Sequence, residues 1–174
     1  GAAGTTARFL PGVLAASNKG EWLIDGIEQL RRRPLKPLLQ ALETLGAQLE
    51  IASDRTSGPV IGGASSDRGL PLIVRGSGLR SGTVRIAGDQ SSQFLSGILL
   101  ASPYADGPVD IELTSDLVQP AYVGITIELM RAFGAQVEHT ADYRKIRVHP
   151  GPYQGREYTL EADASTACYF LTLP

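Results

Sequence analysis

This sequence has a single cysteine, and it lacks long apolar runs and a large excess of one charge. The lone Cys168 excludes an intrachain disulfide and fits a reducing compartment, so we expect a cytoplasmic protein. The longest apolar stretches fall short of the roughly 20 residues that span a membrane, so no membrane partner is expected. A net charge of −2 argues against a broad basic face for nucleic acid. Any anion binding would therefore depend on local groups.

Patterns for metals and cofactors are also missing. His139 and His149 lie on separate predicted strands without cysteines or carboxylates at ligand spacing, so we expect neither to be catalytic. Asp89 and Asp163 are most simply helix caps. No Walker-type, dinucleotide-binding, zinc or haem pattern occurs, so neither a metal nor a cofactor is expected.

The composition is that of an ordinary globular domain, with 43% hydrophobic and 20% charged residues among 174. This length suffices for one domain with a substantial core or for two small units. The chain starts without Met at Gly1, inside a glycine-rich turn, and residues 164–173 resemble the beginning of a helix. We therefore expect it to be a piece of a longer protein.

Two segments repeat in the same order along the chain. Residues 8–17 (RFLPGVLAAS) and 93–102 (QFLSGILLAS) are identical at six of ten positions, at an offset of 85. GAQLE at 46–50 recurs as GAQVE at 134–138, at an offset of 88. These matches predict a duplicated structural unit with a three-residue insertion between the matched segments.

Hydrophobic periodicity predicts the same order of elements in both units. Unit one would contain a helix, a strand, a helix with Pro34 in its first turn and Gly46 at its end, and two strands, at 5–17, 21–25, 34–46, 47–51 and 70–75. Unit two would alternate strands and helices at 83–87, 90–104, 109–113 and 122–133, before strands at 135–139 and 145–148. A last strand is expected at 158–161, and a mobile surface loop at 53–69.

These elements predict a mixed α/β (α+β) fold of repeated βαβαββ units, with helices packed inside against the sheets. One domain would cover residues 1–160, with units at about 1–79 and 80–160 and the first strand of unit one missing. Residues 161–174 would begin the crossing to a second domain. A duplicated structural unit without a binding site is the simplest alternative.

Two repeat-equivalent helix starts are candidates for anion binding. In residues 1–8 (GAAGTTAR), small residues such as Gly4 leave backbone N–H groups open at the positive end of the helix dipole. In unit two, Ser91, Ser92 and Gln93 supply more donors than a cap requires, which suits a phosphate or a polyol. A plain helix start and a simple serine cap remain alternatives.

The densest positive charge is the run Arg31-Arg32-Arg33, directly before Pro34. Cations at a helix N-terminus oppose the helix dipole, so the helix itself does not explain them. We interpret Arg31 and Arg32 as solvated surface charges. We interpret Arg33, held beside the proline, as a ligand-binding residue, because arginine binds carboxylates and phosphates in a bidentate manner.

Five segments, in order, resemble motifs of the 5-enolpyruvylshikimate-3-phosphate synthase family. The matching family motifs are GNAGTxxR, RMxxRP, SSQF, LVSxPYxxxT and GDASSASYF, at residues 1–8, 30–34, 88–94, 116–126 and 162–170. Each motif alone is weak, but the five in order span nearly the whole chain and make the resemblance specific.

The resemblance implies transfer of the enolpyruvyl group of phosphoenolpyruvate to the 5-hydroxyl of shikimate 3-phosphate, without a metal. It also implies an enolpyruvyl transferase-like α/β prism, in which two domains each contain three βαβαββ units. Gly4 and Arg33 would bind phosphoenolpyruvate, and Gln93 would contact both substrates. The remaining positions would bind the shikimate phosphate or lie near its ring: Ser91, Ser92, Gln119 and Tyr122.

Several positions depart from the family pattern: Ala2 for Asn, Gln29-Leu30 for Arg-Met, Gln119 for Ser, Gly124 for Asp, Ala162 for Gly and Cys168 for Ser. The family's N-terminal Lys-Ser segment and its C-terminal acid, Lys and Arg groups are absent from this sequence. We therefore expect binding without turnover. Another acceptor, such as a UDP-amino sugar, is disfavoured by the SSQF segment. That acceptor and a catalytically retired anion-binding domain are the alternatives.

Overall fold

The computed structural model describes residues 3–52 and 69–161. Outside this part lie Asp163, Cys168, the predicted helix at 164–173, and the predicted loop at 53–69 except for its last residue. The described helices are α1 Gly4–Ala15, α2 Glu28–Arg31, α3 Lys36–Thr44, α4 Ser92–Ala101 and α5 Pro120–Ala132, with a 3₁₀ turn at Ser102–Tyr104. The strands are β1 Glu21–Ile24, β2 Gln48–Ile51, β3 Leu72–Arg75, β4 Gly82–Ile86, β5 Val109–Leu113, β6 Val137–His139 and β7 Lys145–Val148.

Each unit forms its own sheet. The first sheet has the order β1-β3-β2 with antiparallel pairs. The second has the order β4-β5-β7-β6, in which β4 runs parallel to β5 and the other pairs are antiparallel. Strands β5, β7 and β6 thus repeat the order and directions of β1, β3 and β2. This topology agrees with the predicted fold of repeated βαβαββ units. Among the described residues of unit one, no strand precedes α1.

The helices lie inside and the sheets outside, as predicted. Along β5, Val109, Ile111 and Leu113 are buried, whereas Asp110 and Glu112 between them are only partly covered. Helix α4 has eight of its ten residues buried and packs against α1, α3 and α5. The apolar faces of both sheets and of the helices therefore share one core.

Helices α1 and α4 carry the repeated segment and cross at repeat-equivalent glycines. A Cβ at Gly97 would collide with the backbone carbonyl oxygen of Arg8, and one at Gly12 would lie 2.8 Å from the Gly97 carbonyl oxygen. The missing side chains let the two backbones approach closely. This crossing brings the beginnings of the two helices together, and it thereby positions the candidate site.

The prediction for the start of α3 is wrong. Helix α3 begins at Lys36 with Leu35 as its N-cap residue, so Pro34 precedes the helix and Pro37 takes the early position that tolerates proline. The additional helix α2 has only one turn, too short for periodicity to reveal.

The predicted strand at 158–161 is also wrong, because these residues have no regular secondary structure. Leu160 is 79% exposed, and no described strand pairs with this segment. A strand needs a hydrogen-bonded neighbour and a covered face, and alternating residue types alone do not supply either.

Candidate functional site

A pocket of about 610 Å³ opens between α1, α4 and α5. Five predicted site residues line it: Ser91, Ser92, Gln93, Gln119 and Tyr122. Other polar groups come from Thr5, Arg8, Ser96 and Thr126, and apolar walls from Phe9, Leu100, Ile125 and Leu129. A concave space of this size with few converging polar groups is typical of a small-molecule site.

Ser91 and Ser92 have different roles at the start of α4. Ser91 is the N-cap residue, and its hydroxyl accepts a hydrogen bond from the Gln93 backbone N–H at 3.3 Å. Asp89 therefore does not cap this helix, because the helix begins two residues too late for its side chain to serve as the N-cap. Ser92 is 3% exposed and lines the pocket, and no described residue hydrogen-bonds its hydroxyl. That hydroxyl is available to a ligand.

Arg8 and Gln93 connect α1 to α4 at repeat-equivalent positions. The Arg8 Nη1 donates a hydrogen bond to Oε1 of Gln93, and Nε2 of Gln93 donates to the Thr5 hydroxyl at 3.2 Å. Because arginine has only donors, the amide oxygen must face Arg8. The Gln93 amide is thereby fixed, with one N–H left for a ligand.

Gly4 and Arg33 are in direct contact at the start of α1. The helix begins after Ala3 without a side-chain cap and without an acid in its first turn, so its first N–H groups stay open. A Cβ at Gly4 would lie 2.6 Å from Nη1 of Arg33. The guanidinium therefore lies against the positive end of the helix dipole, which is unfavourable unless an anion is present.

The arginine run is placed differently from the prediction. Arg31 ends α2 and bonds Asp25 at 2.6 and 2.8 Å, so it is an ion-paired residue, not a solvated charge. Arg32 pairs with Glu28 at 2.9 Å and its side chain is largely exposed, as expected. Arg33 lies between α2 and α3 and not at the N-terminus of α3, which begins only at Lys36, and its guanidinium contacts the start of α1 instead.

Arg8 was not among the residues predicted from the sequence, yet it bonds Gln93 of α4 and lies near Arg33 at the start of α1. Its guanidinium carbon lies 5.4 Å from the centre of the Phe94 ring. Partial burial, followed by the charge of Arg33, lowers the pKa of Arg8 from its ordinary value. No described carboxylate pairs with Arg8 or Arg33. The repeat places Arg8 opposite Gln93, and this was the signal that could have identified it.

Gln119 precedes α5 in the left-handed conformation, with φ 52° and ψ 58°. The loop that precedes α5 is hydrogen-bonded to the loop that precedes α4. The Ser115 hydroxyl accepts hydrogen bonds from the N–H groups of Gly88 and Asp89 at 2.9 and 3.2 Å, and the Val118 N–H donates to the Gly88 carbonyl at 3.0 Å. These bonds make the starts of α4 and α5 face one pocket.

Tyr122 lies in the first turn of α5 and is 57% exposed, with its ring at the pocket. At the family departure Gly124, a Cβ would lie 3.0 Å from the Tyr143 hydroxyl, so Tyr143 fills the space of a side chain there. Leu30, another departure, is buried in the core. Ala2, Ala162 and Cys168 lie outside the described residues.

The two histidines lie away from the pocket. His139 stacks on Tyr143 at 4.7 Å between ring centres, and His149 contacts Glu138 at 2.8 Å. Within residues 3–52 and 69–161, no three or more His, Cys, Asp or Glu residues cluster in a way that could hold a metal ion. In the same part of the chain, no helix has the length and apolar character to cross a membrane.

The family model for EPSP synthase (3-phosphoshikimate 1-carboxyvinyltransferase) matches residues 1–173. The chain is 48% identical over 173 residues to "3-phosphoshikimate 1-carboxyvinyltransferase 2" of Halalkalibacterium halodurans, covering 99% of this chain and 36% of that protein. It is 37% identical over 175 residues to the "3-phosphoshikimate 1-carboxyvinyltransferase" of Opitutus terrae, covering all of this chain and 38% of that one.

Solved structures show the same fold. A structure of EPSP synthase from Acinetobacter baumannii superposes with a TM-score of 0.72 at 24% identity, covering 98% of this chain and 34% of that one. The chain thus spans about a third of the length of the proteins it matches. The family model and the curated relatives, which match nearly every residue of the chain, show that it belongs to the EPSP synthase (3-phosphoshikimate 1-carboxyvinyltransferase) family.

Proposed function

We propose that this chain forms a substrate-binding part of an enolpyruvyl transferase that acts on phosphoenolpyruvate and shikimate 3-phosphate in the cytoplasm. One observation carries the proposal. Arg8 lines the pocket and lies near Arg33, and neither guanidinium has an acidic partner among the described residues. The same pocket holds the Ser92 hydroxyl, which no described residue hydrogen-bonds. Both substrates are phosphorylated, and helix starts and arginines are favourable places for phosphate.

The geometry supports a division of the site between two substrates. Ser91 and Ser92, at the start of α4, would bind the shikimate phosphate. Gly4 and Arg33, at the start of α1, would bind phosphoenolpyruvate. Gln93 hydrogen-bonds both Arg8 and Thr5 and would contact both ligands. The ring of the alcohol would then lie toward Gln119 and Tyr122 on α5.

The described lining of the pocket contains no Asp, Glu, His or Lys. The reaction requires protonation of the enolpyruvate methylene and removal of a proton from the attacking hydroxyl, and these residue types usually supply such steps. The pocket therefore binds, orients and neutralises charge on phosphate, whereas proton transfer belongs to groups elsewhere. We expect the 174-residue chain to bind substrate without turning it over.

Titration of the isotope-labelled chain with shikimate 3-phosphate tests the proposal. We expect salt-sensitive amide shifts at Ser91, Ser92 and Gln93. Ser92→Ala should bind shikimate 3-phosphate roughly tenfold more weakly, and in a parallel titration Arg33→Ala should bind phosphoenolpyruvate roughly tenfold more weakly, since each loses about 1.4 kcal/mol of a charge-assisted contact. Arg32→Ala is the matched control and should bind normally, because Arg32 pairs with Glu28.

The remaining outcomes separate the alternatives. Shifts at the same amides with a UDP-amino sugar, and none with shikimate 3-phosphate, would indicate a different acceptor alcohol. A well-folded chain that responds to neither compound would contradict the proposal and indicate a retired domain.

A further inference from the structure

Ser96 is a second buried serine in the pocket, four residues after Ser92 on α4. It is 3% exposed. Its hydroxyl lies 2.8 Å from the Thr126 hydroxyl, which in turn bonds the Tyr122 carbonyl oxygen at 2.8 Å. This chain of hydrogen bonds joins α4 to α5 across the pocket.

Only one arrangement of the hydroxyl protons makes both of these hydrogen bonds. A carbonyl oxygen cannot donate, so the single hydroxyl proton of Thr126 goes to Tyr122. Thr126 must then accept from Ser96, which commits the only proton of the Ser96 hydroxyl. Ser96 therefore has lone pairs, but no proton, to offer to the pocket.

We propose that Ser96 is a specificity-determining residue that accepts a hydrogen bond from a ring hydroxyl of the ligand. The inference rests on the proposed function, in which Ser92 binds the phosphate. Residues four apart on a helix have Cβ atoms about 5–6 Å apart, so one phosphorylated ring alcohol spans both serines. Ser92 takes the anion, and Ser96 distinguishes a donor hydroxyl from an acceptor at the neighbouring ring position.

Because Ser96 can only accept a hydrogen bond from the ligand, it also disfavours ligands with an acceptor at this position. A carbonyl or carboxylate oxygen placed over it would meet lone pairs and lose its hydrogen bond to water without gaining another. Inorganic phosphate binds at Ser92 without reaching Ser96. Comparing the affinities for shikimate 3-phosphate and for inorganic phosphate therefore distinguishes the role of Ser96 from that of Ser92.

Calorimetric titration of the chain with shikimate 3-phosphate and with inorganic phosphate tests this inference. Ser96→Ala should weaken binding of shikimate 3-phosphate about tenfold and leave phosphate affinity within about twofold. Ser92→Ala should weaken both. Ser102→Ala is the matched control and should change neither, because Ser102 is buried outside the pocket lining and bonds the Ile98 carbonyl at 2.8 Å.

A second variant tests the proton arrangement without touching Ser96. Thr126→Val removes the acceptor and releases the Ser96 proton toward the pocket. An analogue with a ketone in place of the ring hydroxyl should then bind several-fold more tightly than it binds the unaltered chain.

The outcomes separate this inference from the proposed function. Normal binding of shikimate 3-phosphate by Ser96→Ala, or an equal loss for both ligands, overturns the role of Ser96 while the weaker binding of Ser92→Ala still supports the phosphate site. If Ser96→Ala does not fold, the ketone analogue decides, and unchanged affinity in Thr126→Val overturns the inference. Failure of shikimate 3-phosphate to bind the unaltered chain overturns both.

Discussion

At the scale of single residues, Arg8 is the least expected feature of the site. It is partly buried, lies near a second arginine and has no described carboxylate partner. A charge in such surroundings costs stability in the free chain, and the lowered pKa of Arg8 has the same cause. The arrangement is explained if an anion completes it.

We predict that Arg8→Met weakens binding of inorganic phosphate roughly tenfold while the melting temperature stays the same or rises. The folded-state pKa is lowered, so the charged form is disfavoured by folding at every pH where arginine is protonated. Methionine removes that charge and keeps an apolar stem over Phe94. A melting scan with and without phosphate checks both parts. A large loss of stability, with phosphate binding intact, would show that Arg8 is structural.

Residue identities at the site were predictable where a helix start held more polar groups than its cap requires. Ser91, Ser92 and Gln93 were identified in this way, and the structure puts all three in the pocket. Arg8 was missed because one arginine within an apolar helix gives no local signal. Its position becomes informative only once the two repeats are superposed and Gln93 is found opposite it.

At the scale of elements, the two adjacent serines of α4 should differ in their contribution to stability, although both are proposed to bind phosphate. Ser91→Ala removes the N-cap hydrogen bond and should lower the free energy of unfolding by about 1 kcal/mol. Ser92→Ala removes no described hydrogen bond and should cost less stability, but it should abolish most phosphate binding. Urea denaturation and phosphate titration of both variants check this. A larger loss of stability in Ser92→Ala than in Ser91→Ala would refute the N-cap geometry.

The crossing of α1 and α4 should tolerate no added methyl group. Gly97→Ala pushes a Cβ into the Arg8 carbonyl, and we expect a loss of about 1–3 kcal/mol in unfolding free energy together with weaker phosphate binding. Gly155→Ala is the control, because a Cβ there has open space. Equal stability of the two variants in urea would contradict the close approach of these helices.

The long elements followed from periodicity, and their ends did not. The leucine stripe predicted the position of α3. Its first residue depends on the non-helical backbone of Leu35, the N-cap residue, and the hydrophobic pattern does not encode that conformation. The predicted strand at 158–161 was wrong for a different reason. Its residue types suit a strand, but a strand exists only beside a partner, and pairing is a property of the whole sheet.

At the scale of the whole molecule, duplication builds the site. Each unit contributes a helix whose first turn lines the pocket, and the glycine crossing brings both helix starts to the same end of the core. The internal repeat made this symmetry predictable. The contribution of α5, at Gln119 and Tyr122, was predicted only from the family resemblance. It depends on the hydrogen bonds of Ser115 to the loop before α4, and no spacing in the sequence indicates them.

The central claim is that one pocket between these helix starts receives the phosphate of shikimate 3-phosphate. A crystal structure of the chain soaked with this compound tests it most directly. We predict phosphate oxygens at hydrogen-bonding distance, about 2.7–3.2 Å, from the hydroxyls of Ser91 and Ser92. Phosphate bound instead on the outer sheet face at Lys145 and Arg147, with the pocket vacant, would contradict the account.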